Sequence, residues 1–530
     1  MSRWRLALPI LALLFATLCV TSLVTKSGTW DEYRVGIGAR RDFAAGSFHP
    51  PLSSVLHSLP FHWLEIPEEV WGEPWGPRRG QRIVALRDDD LMLDAARFAL
   101  LPVALGALAL VWLWAQRLYG ARGAAVAAAA FSLDPNVIAH ARLITPDTTL
   151  AATTLLALFA LARVGEAPTP ARRAALGVAL ALVLLAKFTA LLLVPILLAT
   201  HLGVAGRHAE DRAGALRRAC VDAAIGLAVA GVIVWAAYGF SLGPVDFGEQ
   251  SLTLPAPAYV ASAVYQWEQS QQPHAFFLLG DRSTDGWWYF YAVVLAGKLP
   301  LVLLFLLGLA IGSRTPRPEA CRREELYLWL PGVVLLVYLS CFNTIHNGFR
   351  YLLPVWLPLL VLLGRLGPWL AGPRLRQALV GVPLAGLAAT TLVAWPDYLA
   401  YCNALVGGSS NGYRVFSDSN LDWGQDLEAL RAWMDEEDVA RVQLAYFGTA
   451  DPAHWGIEYV PLPSPVSALP PVSPAPEGTP APQWVALSAY QYQGVAFGEQ
   501  NPYARFHAFQ PNARAGHSIL LFDLENLQPR

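Results

Sequence analysis

Long apolar runs separated by short polar segments recur along most of this chain. A helix needs roughly 20 residues to cross the hydrocarbon core of a bilayer, and most of the runs approach that length. The pattern therefore predicts a polytopic α-helical membrane protein with about eleven transmembrane helices. We place these spans at 6–25, 98–116, 123–140, 147–163, 174–187, 189–205, 219–239, 289–312, 326–342, 351–365 and 376–395.

The orientation follows from the arginines, which cluster in alternate loops. Cytoplasmic loops carry an excess of Lys and Arg, so these loops are assigned to the inside and the N-terminus with them. Residues 1–395 then form the transmembrane domain, with two long external loops at 26–97 and 240–288 that are rich in interfacial aromatic residues. The acid pair in "GTWDEYRVG" (residues 28–36) emerges on the extracytoplasmic face.

The composition changes after the last apolar run. The segments "YRVFSDSN", "DWGQDLEALRAWMDEE" and "RVQLAYFG" predict strand, amphipathic helix and strand, and "QWVALSAY" and "HSILLFDL" predict further strands. Residues 396–530 are therefore expected to form a small extracytoplasmic α/β domain. Its Pro-rich stretch 461–482 is expected to be an extended loop.

Composition supports the membrane class and excludes others. The 530 residues are 55% hydrophobic and 15% charged, whereas a soluble protein of this length is about 25% charged. The net charge of −2 gives no electrostatic reason to expect a nucleic-acid partner. The five cysteines lack metal-site spacing. Abundant Ala, Leu, Arg and Gly are typical of a high-GC bacterium, so we expect the inner (plasma) membrane.

Several ionisable residues share the outer face under this topology. Lys187 lies in "LLAKFTALLLVP", where an unpaired cation costs on the order of 2.5–3.5 kcal/mol on insertion scales. The others stand at span boundaries or in the first external loop, and they are Asp31, Glu32, His49, Asp147 and Arg350. A carboxylate accepts the proton of an attacking hydroxyl, and Lys or Arg offsets charge on a departing phosphate. The group therefore suits a reaction on a substrate with a lipid tail and a phosphate head.

Four segments carry a family resemblance: "TWDEYRVGIGARRDFAAGSFHPPL", "SLDPNVIAHARLITPDTTLAATTLLAL", "ALVLLAKFTALLLVP" and "NGFRYLLPVWLPLL". In order and sidedness they resemble the GT-C class of integral membrane glycosyltransferases. The nearest subset is the superfamily of protein O-mannosyltransferases and aminoarabinose transferases. The resemblance covers about residues 5 to 395 and implies a multi-span helical fold, a polyprenyl-phosphate sugar donor and an inverting transfer to a lipid, glycan or protein outside the cytoplasm.

The resemblance also implies roles for particular residues. The family's catalytic carboxylate maps onto Asp31, with Glu32 as its neighbour, and Asp147 matches a second external acid. Lys187 and Arg350 match positions near the donor phosphate. No cofactor is implied with certainty, and a divalent cation held by the paired acids stays open.

Simpler interpretations stand beside these roles. Glu32 and Asp147 are also placed as helix caps or first-turn acids, and His49 precedes two prolines that suit a helix start. Arg350 could extend to the lipid headgroups, and Lys298 in "GKLP" is a secondary candidate inside a span. Asp422 is a hypothetical acceptor-binding residue. Its segment lacks the Gly and Glu of a calcium-binding EF-hand.

Three other functions compete with this one. An oligosaccharide ligase would take a lipid-pyrophosphate donor. A lipid or glycan transporter, or flippase, is expected to show paired repeats and charges near the midplane, whereas here the polar residues gather at one face. A membrane-anchored sensor would not require the acids of the first external loop for its function.

Overall fold

The computed structural model describes residues 6–33, 37, 49–64, 66–73, 76–87, 90–207, 210–248, 250–466, 469 and 481–530, the side chain of residue 499 excepted. Most of the predicted Pro-rich loop 461–482 lies outside the described residues. The helices, in chain order, are α1 (Ala7–Leu23), α2 (Pro51–Ser58), α3 (Glu68–Trp71), α4 (Pro77–Val84), α5 (Leu91–Phe98), α6 (Leu101–Ser132), α7 (Pro135–Ala141), α8 (Pro146–Glu166), α9 (Pro170–Ala186), α10 (Ala190–Arg207), α11 (Arg212–Ala237), α12 (Pro257–Ser270), α13 (Phe290–Lys298), α14 (Leu301–Gly312), α15 (Glu319–Cys341), α16 (Leu353–Leu362), α17 (Arg374–Val393), α18 (Leu427–Glu436) and α19 (Ala489–Gln493).

These bounds confirm a mostly helical protein whose apolar runs became helices. In the described part of the chain, seven helices are long and apolar enough to cross a bilayer, and the pair α13–α14, bent by 107°, would make an eighth. Helix α1 is apolar but shorter, with 17 residues. The predicted count of about eleven therefore stays a prediction. Helix α6 covers the predicted spans 98–116 and most of 123–140, and its backbone breaks at Gly120, where φ is 76°.

Local sequence sets several helix starts. Proline occupies the first position of α8 and α9, where its missing N–H costs no hydrogen bond. The Asp134 carboxylate accepts a hydrogen bond from the Asn136 N–H at 2.9 Å and so caps α7. Four short helices, α2 to α5, lie between α1 and α6, in the segment predicted to be the first external loop.

Strands occur between α11 and α13, in the segment predicted to be the second external loop, and in the C-terminal domain. The loop carries two antiparallel hairpins, β1 with β2 and β3 with β4. The C-terminal domain holds a five-stranded mixed sheet in the order β6–β5–β7–β10–β9, with β5 parallel to β6 and β7, and a separate β8–β11 pair. The strands are β1 (Leu242–Phe247), β2 (Gln250–Pro255), β3 (Phe276–Leu278), β4 (Asp281–Ser283), β5 (Val442–Ala445), β6 (Tyr459–Pro461), β7 (Trp484–Ser488), β8 (Phe509–Gln510), β9 (Ala513–Ala515), β10 (Ile519–Asp523) and β11 (Gln528–Pro529).

One strand prediction in this domain is wrong. "YRVFSDSN" forms no strand; its residues lie in the 3₁₀ turns Ser409–Arg414 and Asp418–Asn420 and the connection between them. Asp418 has a φ of 51°, a left-handed conformation that an extended strand does not accommodate. Asn420 instead accepts a hydrogen bond from the Phe349 N–H at 2.9 Å, so the segment packs on the start of α16. The other predicted elements are confirmed as α18, β5, β7 and β10.

Buried charged groups attach the C-terminal domain to the membrane helices. The Lys26 ammonium, just after α1, contacts the Asp426 carboxylate at 2.7 Å and also pairs with Asp397. Asp426 accepts further hydrogen bonds from the N–H and hydroxyl of Ser518. The Lys298 ammonium, at the bend between α13 and α14, donates to three backbone carbonyls, those of Leu399, Tyr401 and Asn420.

We predict that Lys26→Met strongly destabilises the protein. The change leaves the fully buried Asp426 carboxylate without its cation, and breaking a buried pair by removing one partner costs about 3–5 kcal/mol. Arg431→Met is the control, because Arg431 and Asp435 are 41% and 57% exposed and such pairs contribute about 1 kcal/mol or less. The melting temperatures of the purified full-length variants in detergent check this. Equal losses in the two variants would contradict it.

Candidate active site

Three polypeptide segments meet at one end of the helix bundle. Asp147 is in the first turn of α8. Lys187 lies in the break between α9 and α10, where its backbone is extended. Arg350 belongs to a 3₁₀ turn, Phe349–Tyr351, that leads into α16. The first external loop brings Asp31 to the same place.

The four side chains form one chain of ion pairs. The Arg350 guanidinium contacts the Asp31 carboxylate at 2.7 Å and the Asp147 carboxylate at 3.8 Å. The Lys187 ammonium contacts the other Asp147 oxygen at 2.7 Å. Asp147 is 1% exposed, whereas the Asp31 side chain is 22% exposed. Asp31 is therefore the more accessible of these two carboxylates, and Asp147 mainly balances the two cations.

Aromatic rings and a further carboxylate complete the surroundings of the cations. The Arg350 guanidinium lies 4.4 Å from the centre of the Trp423 ring, and the Lys187 ammonium lies 4.7 Å from that of Tyr351. Burial disfavours the charge on Arg350, but Asp31, Asp147 and Asp418 together raise its pKa above the ordinary value. Arg350 is therefore a permanent cation.

His49 lies beside this cluster. It is partly buried and precedes α2, which begins at Pro51. Burial lowers the pKa of His49 to about 4, and Lys187 contributes to the decrease, while Asp31 opposes it. The imidazole is therefore neutral at physiological pH and acts there only as a hydrogen-bonding group.

Glu32 lies apart from the cluster although it adjoins Asp31. It is fully buried and pairs with Arg97 through two contacts of 2.8 and 2.9 Å. It also accepts hydrogen bonds from the N–H groups of Thr29 and Ile144 at 2.8 and 3.0 Å. This arrangement ties the acid loop to α5 and to the start of α8, so Glu32 positions the loop that carries Asp31. Sequence reasoning missed Arg97, whose only signal was a cation at the start of an apolar run.

Asp422 is also internal. It is 0% exposed and accepts hydrogen bonds from the N–H groups of Tyr490 and Gly424 at 2.8 and 3.3 Å. Burial raises the pKa of Asp422 to about 8. The same segment instead supplies Trp423 and Asp418 to the surroundings of Arg350. Burial raises the pKa of Asp418; Arg350 opposes that rise, and Asp31 adds to it. Sequence reasoning tested this segment only as a calcium loop and missed both residues.

A second charged network occupies the opposite ends of the same helices. After α16, Arg365 contacts Glu325 of α15 at 2.6 Å. Arg117 of α6 contacts Glu324 at 3.1 Å and Glu166, the last residue of α8, at 3.1 Å. The two charged layers thus lie at opposite ends of α8 and α16, as expected for groups on the two sides of a bilayer. Within the described ranges, no group of three or more His, Cys, Asp or Glu side chains is arranged to hold a metal ion.

Comparison with known proteins gives one family match. Residues 92–238, from α5 to the end of α11, match the family described as dolichyl-phosphate-mannose-protein mannosyltransferase. Over these residues the chain is similar to a family of membrane-lipid-dependent mannosyltransferases, as the description of the family states. The match agrees with the class that the sequence motifs implied. The matched residues include α8 and the segment with Lys187. No curated protein matches the chain significantly.

Two solved structures show distant likeness to this chain. ArnT from Cupriavidus metallidurans, solved with undecaprenyl phosphate, is 15% identical with a TM-score of 0.48, and 97% of each chain is covered. The oligosaccharyltransferase of Archaeoglobus fulgidus, solved with zinc and sulfate, is 13% identical with a TM-score of 0.46. That alignment covers 95% of this chain and 71% of the archaeal one. With TM-scores below 0.5, these likenesses add nothing to the assignment of the site.

We predict that Glu32→Gln lowers the melting temperature at neutral pH more than Asp31→Asn does. Glu32→Gln strands the buried Arg97 charge, but Asp31 is partly solvated. Burial disfavours the Glu32 charge, yet Arg97 holds the pKa of Glu32 below its ordinary value. The Glu32–Arg97 pair therefore stabilises the folded protein fully above about pH 4.3, the pKa of Glu in the unfolded chain. This stabilisation is lost as the pH falls through the lower pKa of Glu32 in the folded protein.

Thermal unfolding of both variants between pH 3 and 8 checks this. The difference in melting temperature between wild type and Glu32→Gln should narrow at the acid end of the range. A constant difference at every pH, or a larger loss in Asp31→Asn than in Glu32→Gln, would contradict the structural role of Glu32.

Proposed function

We propose that the protein transfers one sugar, a hexose or pentose, from a polyprenyl-phosphate donor to an acceptor outside the cytoplasm. The observation that carries the proposal is the partly exposed Asp31 carboxylate beside the buried cations Arg350 and Lys187. The family match adds weight, because its description names a lipid-phosphate sugar as donor.

In the proposed reaction, Asp31 is the general base. It accepts the proton of the acceptor hydroxyl as the oxygen bonds to the anomeric carbon. The bond from that carbon to the phosphate oxygen breaks at the same time, and polyprenyl phosphate leaves with the electron pair. Because nucleophile and leaving group are on opposite faces of the sugar, the configuration inverts. Arg350 and Lys187 stabilise the second negative charge that develops on the phosphate.

An apolar groove among the membrane helices supports the proposal that the donor carries a long lipid substituent. Its volume is about 420 Å³, and α14, α15 and α16 contribute most of its apolar walls. Leu352, at its lining, follows Arg350 by two residues, and Arg365 lies at the other end of α16. In this proposal, the groove holds the first isoprenoid units while the phosphate lies between Arg350 and Lys187.

The opposite charged layers support the predicted orientation. The arginines of the Arg117–Arg365 layer belong to loops assigned to the cytoplasm by their positive charge. The Asp31 cluster and residues 396–530 would then face the exterior of the inner membrane, where no nucleotide-sugar donor is at hand. A lipid-linked donor suits that compartment.

We predict that Asp31→Asn lowers kcat for sugar transfer about 100- to 10,000-fold, the usual contribution of a general base. The assay supplies defined polyprenyl-phosphate hexoses and pentoses, and separately a lipid-pyrophosphate oligosaccharide, with an extract of envelope glycans, lipids and proteins as acceptor. Asp435→Asn is the matched control, because this aspartate is 57% exposed on α18.

The control variant should transfer sugar at the wild-type rate. Retention of more than a tenth of the activity in Asp31→Asn would sink the general-base assignment. Transfer from the pyrophosphate donor alone would replace the monophosphate proposal with the oligosaccharide ligase.

We also predict that Val333→Trp raises KM for a long-chain donor. Val333 lines the groove and is 49% exposed, so the indole occupies space that the lipid needs. Val337→Trp is the control, since Val337 lies one turn further along α15, is 51% exposed and does not line the groove. Steady-state kinetics with donors of 10 or fewer and of about 50 prenyl carbons check this. An equal KM for the two variants would remove the groove from the proposal.

A further inference from the structure

Strands β1 and β2 and helix α12 lie between the membrane helices α11 and α13, and we call them the hairpin–helix unit. The unit packs on the bundle beside the break that carries Lys187. The Tyr259 ring of α12 lies 5.2 Å from the Phe188 ring, centre to centre, and its hydroxyl donates to the Leu184 carbonyl at 3.3 Å. Val234, near the end of α11, belongs to the same buried apolar cluster. The unit therefore lies at the Lys187 end of the bundle.

Away from this packing, the hairpin–helix unit exposes large apolar side chains. Leu252 of β2 is 51% exposed, and Trp267 of α12 is 66% exposed. Clustered apolar side chains on a protein surface mark a contact with another protein or with a membrane. The remaining exposed apolar residues of the unit are Phe240, Leu242, Phe247 and Tyr265.

On the hairpin, two of these residues continue a buried apolar face. Val245 of β1 is buried and pairs with Leu252 across the two strands. Phe247 follows Val245 by two residues, so the three side chains point to one face of the hairpin. Helix α12 packs against β1. The apolar face thus extends past the part of it that the protein covers.

Helix α12 repeats this arrangement. Val260, Val264 and Trp267 follow one another at the spacing of one helix face. Val260 packs against the cluster that contains Tyr259 and Phe188, whereas Trp267, two turns further on, is mostly exposed. Trp267 is also far along the chain from both α11 and α13. Its exposure is therefore not that of an aromatic residue at the end of a membrane helix.

The bilayer is the partner that this surface fits. Helix α11 is long and apolar enough to cross a membrane, and it exposes Val232 close to its end. Phe240 and Leu242, both exposed, continue that surface from α11 into β1. Trp and Tyr are enriched at the boundary between lipid and water, where their rings lie at headgroup level. The apolar surface of the unit is thus continuous with a lipid-facing helix.

The charges of the segment indicate which lipids cover it. Between residues 240 and 280 the sequence contains no Lys or Arg, and its acids are Asp246, Glu249 and Glu268. Electrostatic attraction to anionic lipids needs basic side chains on the docking surface. Contact with the bilayer is therefore expected to depend on apolar burial, which zwitterionic lipids provide.

We propose that the hairpin–helix unit docks into the headgroup–acyl boundary of the leaflet at the Lys187 end of the bundle. Phe247, Leu252 and Trp267 contact zwitterionic lipid there. Amphipathic elements of this kind lie about 5–10 Å into that boundary. Because α12 packs on the break that carries Lys187, docking also fixes the depth of Lys187 relative to the lipid headgroups. The docking does not rest on the proposed function.

The test measures the depth of spin labels on the full-length protein in phosphatidylcholine nanodiscs. Cys220→Ser and Cys341→Ser remove the two exposed thiols, and the other three cysteines are buried. Nitroxides are then attached at Leu252→Cys, Trp267→Cys or Phe247→Cys, one at a time. Power-saturation EPR compares collisions of each label with oxygen, which is concentrated in the bilayer, and with a water-soluble nickel chelate. The labels should lie about 5–10 Å inside the boundary.

Two labelled variants supply the references. Asp435→Cys, on the exposed face of α18, reports water, and Val232→Cys, on α11, reports lipid. The ratio of oxygen to nickel collisions at Leu252→Cys and Trp267→Cys should exceed that at Asp435→Cys and approach that at Val232→Cys. Adding phosphatidylglycerol should leave the ratio unchanged. Phe247→Cys decides the result for the hairpin if the label at Leu252→Cys lowers the melting temperature.

Three results would overturn the inference. A ratio equal to that of Asp435→Cys shows that the unit stands in water. Low collision rates with both reagents show that a protein, either a second copy or another partner, covers the surface. Insertion that appears only when phosphatidylglycerol is present shows that charge and not apolar burial holds the unit to the membrane.

Discussion

The ion-pair chain from Asp31 through Arg350 and Asp147 to Lys187 is the constraint on which the rest of the arrangement depends. In an environment of low dielectric, each of these charges is costly by itself and acceptable only when it is paired. The starts of α8, α10 and α16 and the first external loop must therefore come together in one geometry. The outcome is a site of two cations and two carboxylates, with Asp31 the more accessible carboxylate, at a single end of the bundle.

The C-terminal domain belongs to this site as much as the helices do. Its Trp423 ring covers Arg350, and its Asp418 adds a third carboxylate near the same cation. A turn with a left-handed residue puts them there, and Asn420 fastens that turn to the backbone before α16. The C-terminal domain thus contributes residues to the surroundings of the proposed active site.

Much of this architecture was predictable because hydrophobicity acts over whole helices. Runs of apolar residues predicted where most of the long helices lie, although the predicted spans 98–116 and 123–140 fall largely within the single helix α6. The energetic cost of an unpaired Lys187 marked it as a member of a cluster. Because Asp31 and Glu32 are neighbours in the sequence, the sequence did not predict which of the two is buried. Neighbouring side chains on a helical turn point in different directions, and only Arg97, on another helix, shows which acid is buried.

The misread strand has a similar cause. "YRVFSDSN" begins with residues that favour strands, Tyr, Val and Phe. However, the left-handed Asp418 within it, and the glycines Gly407 and Gly408 with positive φ shortly before it, impose turns. The segment has no neighbouring strand. Its Ser419 and Asn420 side chains instead form hydrogen bonds with the backbone of Asn347 and Phe349, in the connection that leads into α16. Such contacts join residues far apart in the chain, where no local pattern records them.

The bend between α13 and α14 ends in a lysine whose three hydrogen bonds all go to the backbone of the segment after α17. Every amino acid has a backbone carbonyl. The three hydrogen bonds of Lys298 therefore constrain the backbone conformation of residues 399–420 but not the identity of their side chains. A substitution at Leu399, Tyr401 or Asn420 that keeps the local backbone path therefore leaves all three hydrogen bonds of Lys298 in place, whatever side chain it introduces.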